Sequence, residues 1–302
     1  MINISLQTHP ELYFDYRKGL DMLSKLDYSD YEYPEGKTAF HVYSEITTPK
    51  QLECVKSFLA TQNLDHTKLV LWSDYDVSNN EMLAPYKDLI EMRVFNRAEL
   101  AKGTVLENHP VWITGPWVDE NHWMSSGLLR FLAPYHEGGV WSDMDVIFIN
   151  DFKPILDQEF SYQWGSEREF STFGSCAALM NIHKHSEHAA ICLDEISKTP
   201  LAGGVCLDHM LLAKVYRRRP FTVFPSTFFN TEWLMSKTDL PFRKFMQNGF
   251  ETIETDRDFL FLDAFAWHWH NTSNKDRTIE PGSKFDRLTQ RTNKLLKEKG
   301  IL

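Results

Sequence analysis

The chain contains 302 residues, of which 42% are hydrophobic and 14% aromatic, so it can bury a substantial core. Its 32 Lys and Arg residues against 42 Asp and Glu residues give a formal net charge of -10. This excess of acidic residues argues against a general nucleic-acid binder, because neutralising phosphates requires a basic surface. No apolar run approaches the ~20 residues of a membrane-spanning helix.

The start of the chain and its cysteines indicate the compartment. The N-terminus lacks the charged and apolar regions of a signal peptide. The four cysteines are widely spaced without a CxxC motif, which favours reduced thiols over disulfides or a zinc site. We therefore expect a soluble cytoplasmic protein without a transmembrane segment, with peripheral attachment to a membrane as the alternative.

The first 37 residues are expected to form an N-terminal appendage, because aromatic and acidic residues are interleaved there. From Thr38 onward, segments with the pattern of strands and helices alternate. The predicted strands are 39–43, 68–72, 92–95, 140–149, 160–164, 176–181, 221–224 and 264–269, and the predicted helices are 50–62, 123–136, 208–216 and 285–299. This alternation predicts an α/β fold with a mostly parallel sheet covered by helices on both faces. Ligands bind such sheets at the carboxyl ends of the strands.

The segment from Gly138 to Asp145 carries the clearest chemical signal. Two glycines end the preceding helix, and apolar residues lie on both sides of Asp143 and Asp145. On a continuous strand, these two side chains project from one face while Met144 projects from the other into the core. Two carboxylates at a strand end are typical oxygen ligands of Mg²⁺ or Mn²⁺, whose open positions diphosphate oxygens can fill.

Two aspartates separated by one residue are a weak signal alone, because the sequence contains three such pairs. The pair Asp74/Asp76 is followed by Ser and Asn residues that are typical of a loop. The pair Asp256/Asp258 lies in a polar stretch that is typical of a solvated surface. The context of the third pair therefore assigns the candidate site to Asp143 and Asp145.

The block from Ser126 and Arg130 to Gly138, Gly139, Asp143 and Asp145 resembles the S-D-x-x-R … G-G-x-Y-x-D-x-D block of DxD-containing retaining glycosyltransferases. This group includes α1,4-N-acetylglucosaminyl- and α1,4-galactosyltransferases, the yeast initiating α1,6-mannosyltransferase and, more distantly, the clostridial glucosylating toxins. Three later segments are similar to family motifs in the same order: 203–212, 225–233 and 265–269. The resemblance implies a Rossmann-like GT-A fold, with an appendage at 1–37, a catalytic domain at 38–275 and a helical tail at 276–302.

The resemblance also implies roles for individual residues. Asp145 would bind the metal directly, and Asp143 would contact the donor and reach the metal. Arg130, on the same helical face as Ser126, would contact the donor sugar. The implied catalytic residues are Asp143, Asp145 and Arg130, the donor-binding residues are Tyr43, Ser126, Arg130, Asp143, Asn271 and Ser273, and the metal ligands are Asp145, Asp143 and His268.

The sequence also departs from the family pattern. Gly127 stands where the family usually has an aspartate that accepts from a sugar hydroxyl, so the donor sugar is not implied. Val205, Asn230, His270 and Asn274 replace family prolines and tryptophans. His268 and His270 are also compatible with a zinc pair or with packed core histidines. If the reaction uses a carboxylate nucleophile, the candidates are Asp208, Glu232 and Asp263.

The function implied by the resemblance is a metal-dependent retaining glycosyltransferase acting in polysaccharide biosynthesis. It would transfer a sugar from a nucleoside-diphosphate sugar, with a UDP-sugar favoured, to an unknown glycan, lipid or other hydroxyl acceptor. One alternative is a metal-dependent phosphohydrolase, which should also have an early His/Asp cluster at a strand end, and none is convincing. The other is a non-catalytic nucleotide- or carbohydrate-binding module, against which the intact aspartates argue.

Overall fold

A computed structural model of the protein describes residues 2–13, 15–116, 123–164, 175–200, 207, 209–230, 249–252 and 261–302. The strands are β1 (Thr38–Tyr43), β2 (Thr67–Ser73), β3 (Glu91–Val94), β4 (Gly139–Ser142), β5 (Val146–Phe148), β6 (Phe160–Gln163), β7 (Ser175–Ile182), β8 (Thr222–Phe224) and β9 (Ala266–His268). The helices are α1 (Tyr16–Ser24), α2 (Pro49–Thr61), α3 (Arg97–Ala101), α4 (Trp123–Glu137), α5 (Glu187–Ser197), α6 (His209–Arg218), α7 (Asn271–Asn274) and α8 (Lys284–Glu298). None of the helices in these ranges is long and apolar enough to cross a membrane.

Seven of the strands form one sheet in the order β3-β2-β1-β4-β7-β6-β8. Strands β3, β2, β1 and β4 are parallel to one another, and β6 is parallel to β8. Only β7 runs in the opposite direction, antiparallel to both β4 and β6. Strands β5 and β9 form a separate antiparallel pair, which we call the small sheet. The predicted α/β class with a mostly parallel sheet is confirmed.

The crossover helix between β1 and β2 begins with a complete capping box. Thr48 Oγ1 accepts from the backbone N–H of Gln51 at 3.3 Å, and Gln51 Oε1 accepts from the N–H of Thr48 at 3.1 Å. Pro49 at the first helical position has no N–H that needs a partner. The buried face of α2 packs on the sheet, where the rings of Phe58 and Phe40 lie 5.0 Å apart between centroids. Local sequence thus determines where this βα unit turns.

The structure divides the predicted strand 140–149 into two strands that belong to different sheets. Ser142, the last residue of β4, pairs with Leu179 of β7 in the main sheet. Val146, the first residue of β5, pairs with His268 of β9 in the small sheet. The chain therefore turns between residues 142 and 146, and the prediction of one continuous strand is wrong. Both strands are fully buried, so their apolar pattern does not reveal the break.

The ends of the chain pack on the same core as the sheet. The Leu6 N–H donates to the carbonyl oxygen of Val223 in β8 at 2.8 Å, and the Gln7 side chain bonds to Phe221 O and Val223 N. At the other end, α8 packs on α2, and Lys299 Nζ donates to the carbonyl oxygen of Leu59 at 3.0 Å. The division into segments 1–37, 38–275 and 276–302 stays a prediction, since these contacts describe packing and not separate folding.

Two glycines form the junction between α4 and β4. Gly138 has φ +73° and its N–H donates to the carbonyl oxygen of Pro134 at 2.7 Å, which ends the helix. Gly139 has φ +105°, and an added Cβ there would collide with the carbonyl oxygen of Ala39 in β1. Close approach of β4 to β1 therefore requires glycine at position 139.

We expect Gly139→Ala to lower the free energy of unfolding by about 3 kcal/mol or more, because backbone collision adds to the strain of alanine at positive φ. Gly103→Ala is the matched control, since Gly103 has φ +71° with open space around it. The control should lose only about 1–2 kcal/mol. Chemical denaturation measures both losses, and equal losses would contradict the close-packing explanation.

Candidate functional site

The two aspartates of the DxD sequence lie in the turn that connects β4 to β5, between the main sheet and the small sheet. The Asp143 N–H donates to the carbonyl oxygen of Ala178 in β7 at 2.7 Å. The carbonyl oxygen of Asp145 accepts from the N–H of Trp269 at 2.9 Å, directly after β9. Met144 between them is buried in the core, as predicted. Each aspartate is thus attached by its backbone to a different sheet.

The carboxylate of Asp143 is fixed by two donors from its own βα unit. Its Oδ1 accepts from Trp141 Nε1 at 2.7 Å and from Arg130 Nη2 at 3.0 Å. The Arg130 guanidinium also lies over the Trp141 indole, with Cζ 5.6 Å from the ring centroid. Burial raises the pKa of Asp143, whereas Arg130 lowers it. Arg130, predicted to contact the donor sugar, is paired with Asp143 here, and its role toward the donor stays a prediction.

The carboxylate of Asp145 faces β9 and the segment after it. Its Oδ2 accepts from the backbone N–H of Asn271 at 2.7 Å, and its Oδ1 lies 3.2 Å from His268 Nε2. Burial raises the pKa of Asp145, but His268 and the Asn271 amide outweigh burial and hold the pKa below its ordinary value. Conversely, Asp145 raises the pKa of His268 well above its ordinary value in spite of burial. A carboxylate and an imidazolium thus neutralise each other.

His268 is held by contacts on its other side. Its Nδ1 lies 2.9 Å from the hydroxyl of Tyr162, a fully buried residue of β6. The ring of His270 lies against that of His268, with 3.9 Å between centroids and the ring planes tilted by 36°, and His270 has a left-handed backbone with φ +57°. Asn230 Nδ2 donates to His270 Nε2 at 2.9 Å. His268 is the last residue of β9 and His270 follows the strand, so the two histidines do not lie on one strand face.

The other residues predicted to bind the sugar donor are Ser126, Asn271, Ser273 and Tyr43. Ser126 lies one helical turn before Arg130 on α4 and is half-buried. Asn271 contacts Asp145 through its backbone, whereas Ser273 is exposed and its N–H donates to the carbonyl oxygen of His270. Tyr43 at the end of β1 packs edge-on against Phe95 with 6.4 Å between centroids. Their roles in donor binding stay predictions.

Several other candidates lie elsewhere or outside the described residues. Asp263 is exposed and contributes to raising the pKa of Tyr28, near the end of the small sheet where Phe148 pairs with Ala266. This end is opposite to the one that carries His268, so Asp263 does not join the DxD turn. Asp76 is exposed in a loop, as predicted, and accepts from the N–H of Ser78 at 2.9 Å. The remaining motif and candidate residues named from the sequence lie outside the described residues; they are 203–206, Asp208, Glu232, Trp233, Asp256 and Asp258.

Three contacts of the site were not predicted from the sequence. Trp141 is fully buried, and its indole N–H donates to Asp143 because a buried donor needs an acceptor. Tyr162 and Asn230 reach the histidines from distant parts of the chain. No spacing rule links such distant positions, although a tyrosine inside an otherwise buried strand is a signal that its hydroxyl has a partner.

Asp145 and His268 fit one edge of the coordination shell of a divalent cation. Adjacent ligands of an octahedral ion such as Mg²⁺ lie about 3 Å apart, close to the 3.2 Å between Oδ1 and Nε2. Within the described residues, the buried Asp145 Oδ1 has His268 Nε2 as its close partner and no hydrogen bond of regular geometry, so it has acceptor capacity to spare. The described ranges contain no group of three or more His, Cys, Asp and Glu side chains arranged for a metal ion. With Asp145 and His268 as the two protein ligands, water and ligand oxygens would fill further positions of the ion, as is usual for Mg²⁺.

Comparison with known protein families gives a match over residues 49–162. The matching family model is described as "Glycosyltransferase sugar-binding region containing DXD motif". The matched segment contains Arg130, Asp143 and Asp145 and ends at Tyr162, whereas His268 lies beyond it. The chain matches no curated protein.

Comparison with solved structures identifies similar folds at low sequence identity. The apo form of the glycosyltransferase GlyE of Streptococcus pneumoniae TIGR4 has a TM-score of 0.54 and 11% identity, over 88% of this chain and 63% of GlyE. A second GlyE structure gives a TM-score of 0.51 and 11% identity, over 88% and 64% of the two chains. WbbM, a bifunctional glycosyltransferase, has a TM-score of 0.49 and 10% identity, over 89% and 51%.

This chain thus spans about 63% of the GlyE chain, and the likeness to GlyE concerns the fold. The segment that matches the family model, residues 49–162, contains the DxD turn. In the structure Arg130, Asp143 and Asp145 of this segment lie together. The resemblance inferred from the sequence is confirmed for residues 49–162, which match the model of DXD-containing glycosyltransferases, and the chain has an α/β fold similar to that of the glycosyltransferase GlyE.

Proposed function

We propose that the protein is a retaining glycosyltransferase that uses a nucleoside-diphosphate sugar, a UDP-sugar in the first place, and Mn²⁺ or Mg²⁺. The observation that carries this proposal is the buried contact between Asp145 Oδ1 and His268 Nε2, which lie 3.2 Å apart at the DxD turn. Carboxylate oxygens are ligands that suit Mg²⁺ and Mn²⁺, and neutral imidazole is the commonest nitrogen ligand of metals in proteins. Activity, substrates and partners are all part of the proposal.

In the proposal, one side of the DxD turn binds the cation and the other side contacts the sugar donor. Asp145 and His268 would hold the cation, and the Asn271 amide fixes the second oxygen of Asp145. A bound divalent cation neutralises the charge that develops on a departing diphosphate. Asp143, neutralised by Arg130 and oriented by Trp141, would contact the donor next to this charge. Because both carboxylates are held before any ligand binds, the site needs little reorganisation.

Retention of configuration rests on the family resemblance of the Ser126–Asp145 block. Such a reaction needs either a carboxylate nucleophile below the anomeric carbon or an attack on the same face that the leaving phosphate assists. Asp263 is excluded as a nucleophile at this turn because it lies at the opposite end of the small sheet. The acceptor in the proposal is a hydroxyl group of a glycan, a lipid or another molecule.

The proposal includes a cytoplasmic place of action and a role in polysaccharide biosynthesis. Cys54, Cys176 and Cys192 are buried free thiols, as is typical of proteins in a reducing compartment. Incubation with UDP- and GDP-sugars, with and without Mn²⁺ and candidate acceptors, tests the function. A transferase gives a glycosylated acceptor, a phosphohydrolase gives sugar phosphate or nucleoside monophosphate, and a binding module gives neither.

We expect UDP or GDP to raise the melting temperature in the presence of Mn²⁺ and much less in the presence of EDTA. A ligand that binds only the folded state stabilises it by mass action, and the cation would connect the diphosphate to Asp145 and His268. Differential scanning fluorimetry at fixed nucleotide concentration measures the shift. Equal shifts in both buffers would contradict a metal bridge.

We expect Asp145→Asn to reduce donor turnover by roughly 10²-fold or more, the scale of removing a preorganised electrostatic group. The substitution keeps the size of the side chain but removes the charge that would hold the cation. Asp76→Asn is the matched control, because it removes an exposed carboxylate of the same spacing pattern, and it should change turnover less than about threefold. Rates are measured with the nucleotide sugar that the panel identifies. An active Asp145→Asn with an inactive Asp76→Asn would move the site to the end of β2.

We expect the first-formed product to keep the anomeric configuration of the donor. The reason is the resemblance of the DxD block to retaining enzymes, which preserve α linkage from an α donor. NMR coupling constants of the anomeric proton, recorded early in the reaction, decide the configuration. A β product from an α donor would overturn the retaining assignment without affecting the proposed metal site.

A further inference from the structure

The hydroxyl of Tyr162 is the nearest polar group behind His268. It lies 2.9 Å from His268 Nδ1, on the side of the ring opposite to Asp145. Both side chains are buried, with exposed fractions of 0% for Tyr162 and 6% for His268. Water therefore does not compete for this contact, and the hydrogen bond determines how the imidazole is oriented.

The position of Tyr162 follows from an irregularity in the main sheet. Strand β6 pairs with β7 in two registers, with Phe160 opposite Asn181 but Tyr162 opposite Cys176. A change of register of this kind re-aims side chains at one end of a strand. Cys176, which lies opposite Tyr162 in this register, contributes to raising the pKa of both Tyr162 and His268. The main sheet thus supplies the support for a histidine that belongs to the small sheet.

The chemistry of imidazole specifies what this support does. In the ion pair with Asp145 the imidazolium has hydrogen on both nitrogens; for Nε2 to bind a cation it must release its hydrogen, and the remaining ring hydrogen is then on Nδ1. A hydroxyl oxygen that accepts from Nδ1–H favours that arrangement and holds the ring plane toward Asp145.

We propose that Tyr162 is a positioning residue, which keeps the Nε2 of His268 directed at the cation beside Asp145. The inference rests on the proposed function, because it assumes that Asp145 and His268 hold a divalent cation. It goes further by assigning to β6 a role in metal affinity that no motif of the sequence indicates. Removal of a partner behind a ligating histidine typically costs 10–100-fold in affinity.

The test is a cycle of variants read out as Mn²⁺ affinity. Tyr162→Phe keeps the ring and removes the hydroxyl, and we expect the dissociation constant for Mn²⁺ to rise about 10–100-fold. Free Mn²⁺ is measured by electron paramagnetic resonance, without nucleotide and with saturating UDP. In the His268→Ala background, adding Tyr162→Phe should change affinity less than about twofold, because the hydroxyl acts only through His268.

Tyr33→Phe is the matched control for loss of a tyrosine hydroxyl. The Tyr33 hydroxyl donates to Asp151 Oδ2 at 2.7 Å, away from the DxD turn, so this variant should leave Mn²⁺ affinity unchanged. Melting temperatures in EDTA report the structural cost of each variant separately. The ¹⁵N shifts of His268 in the wild type with Mg²⁺ and UDP provide a measurement that needs no variant. They should show hydrogen on Nδ1 and none on Nε2.

The outcomes separate this inference from the function on which it rests. Tight Mn²⁺ binding by the wild type with an equal affinity of Tyr162→Phe would overturn only the positioning role. A tenfold loss that persists in the His268→Ala background would overturn it as well, since the effect would then not act through His268. Hydrogen on Nε2 in the Mg²⁺ complex would have the same meaning. Failure of the wild type to bind Mn²⁺ even with UDP would overturn the proposed metal dependence together with this inference.

Discussion

The contacts that Asp145 makes with the segment 268–271 join the small sheet to the DxD turn, and the rest of the site depends on them. The backbone carbonyl of Asp145 accepts from the N–H of Trp269, and its carboxylate accepts from the N–H of Asn271 and faces the ring of His268. These contacts extend the pairing of β5 with β9, in which Val146 lies opposite His268, into the turn itself. Asp145 therefore connects the turn to the small sheet and is also a candidate metal ligand, so one residue has both roles.

Charge balance explains why two carboxylates tolerate burial next to each other. Asp143 is paired with Arg130, and Asp145 with His268, so each acid has one cation. Burying unpaired charges is expensive, and removing one partner of such a pair destabilises more than replacing both. Trp141 adds a neutral donor to Asp143 at no cost in charge. The charges of the two acids and their two cations thus cancel before a ligand binds. A bound diphosphate would add negative charge, which a divalent cation would balance.

Local patterns in the sequence predicted most of the central sheet and the position of the DxD pair. β1, β2 and α2 follow from apolar periodicity and from the capping box at Thr48, both of which are local. The break at Asp143–Asp145 was not predicted, because the strands before and after it are equally buried and periodicity does not report which sheet a strand joins. α5 was also missed. The link from Asp145 to His268 came from family resemblance, and its geometry required the fold.

The N-terminal segment has a consequence for the edge of the main sheet. β8 is the last strand, and its free side would present unpaired backbone groups to other molecules. Leu6 and Gln7 satisfy backbone groups of Phe221 and Val223 along this side, so the segment shields the edge against strand addition by another chain. A shortened chain that begins at residue 38 would keep every residue of the DxD turn and yet expose a template for self-association.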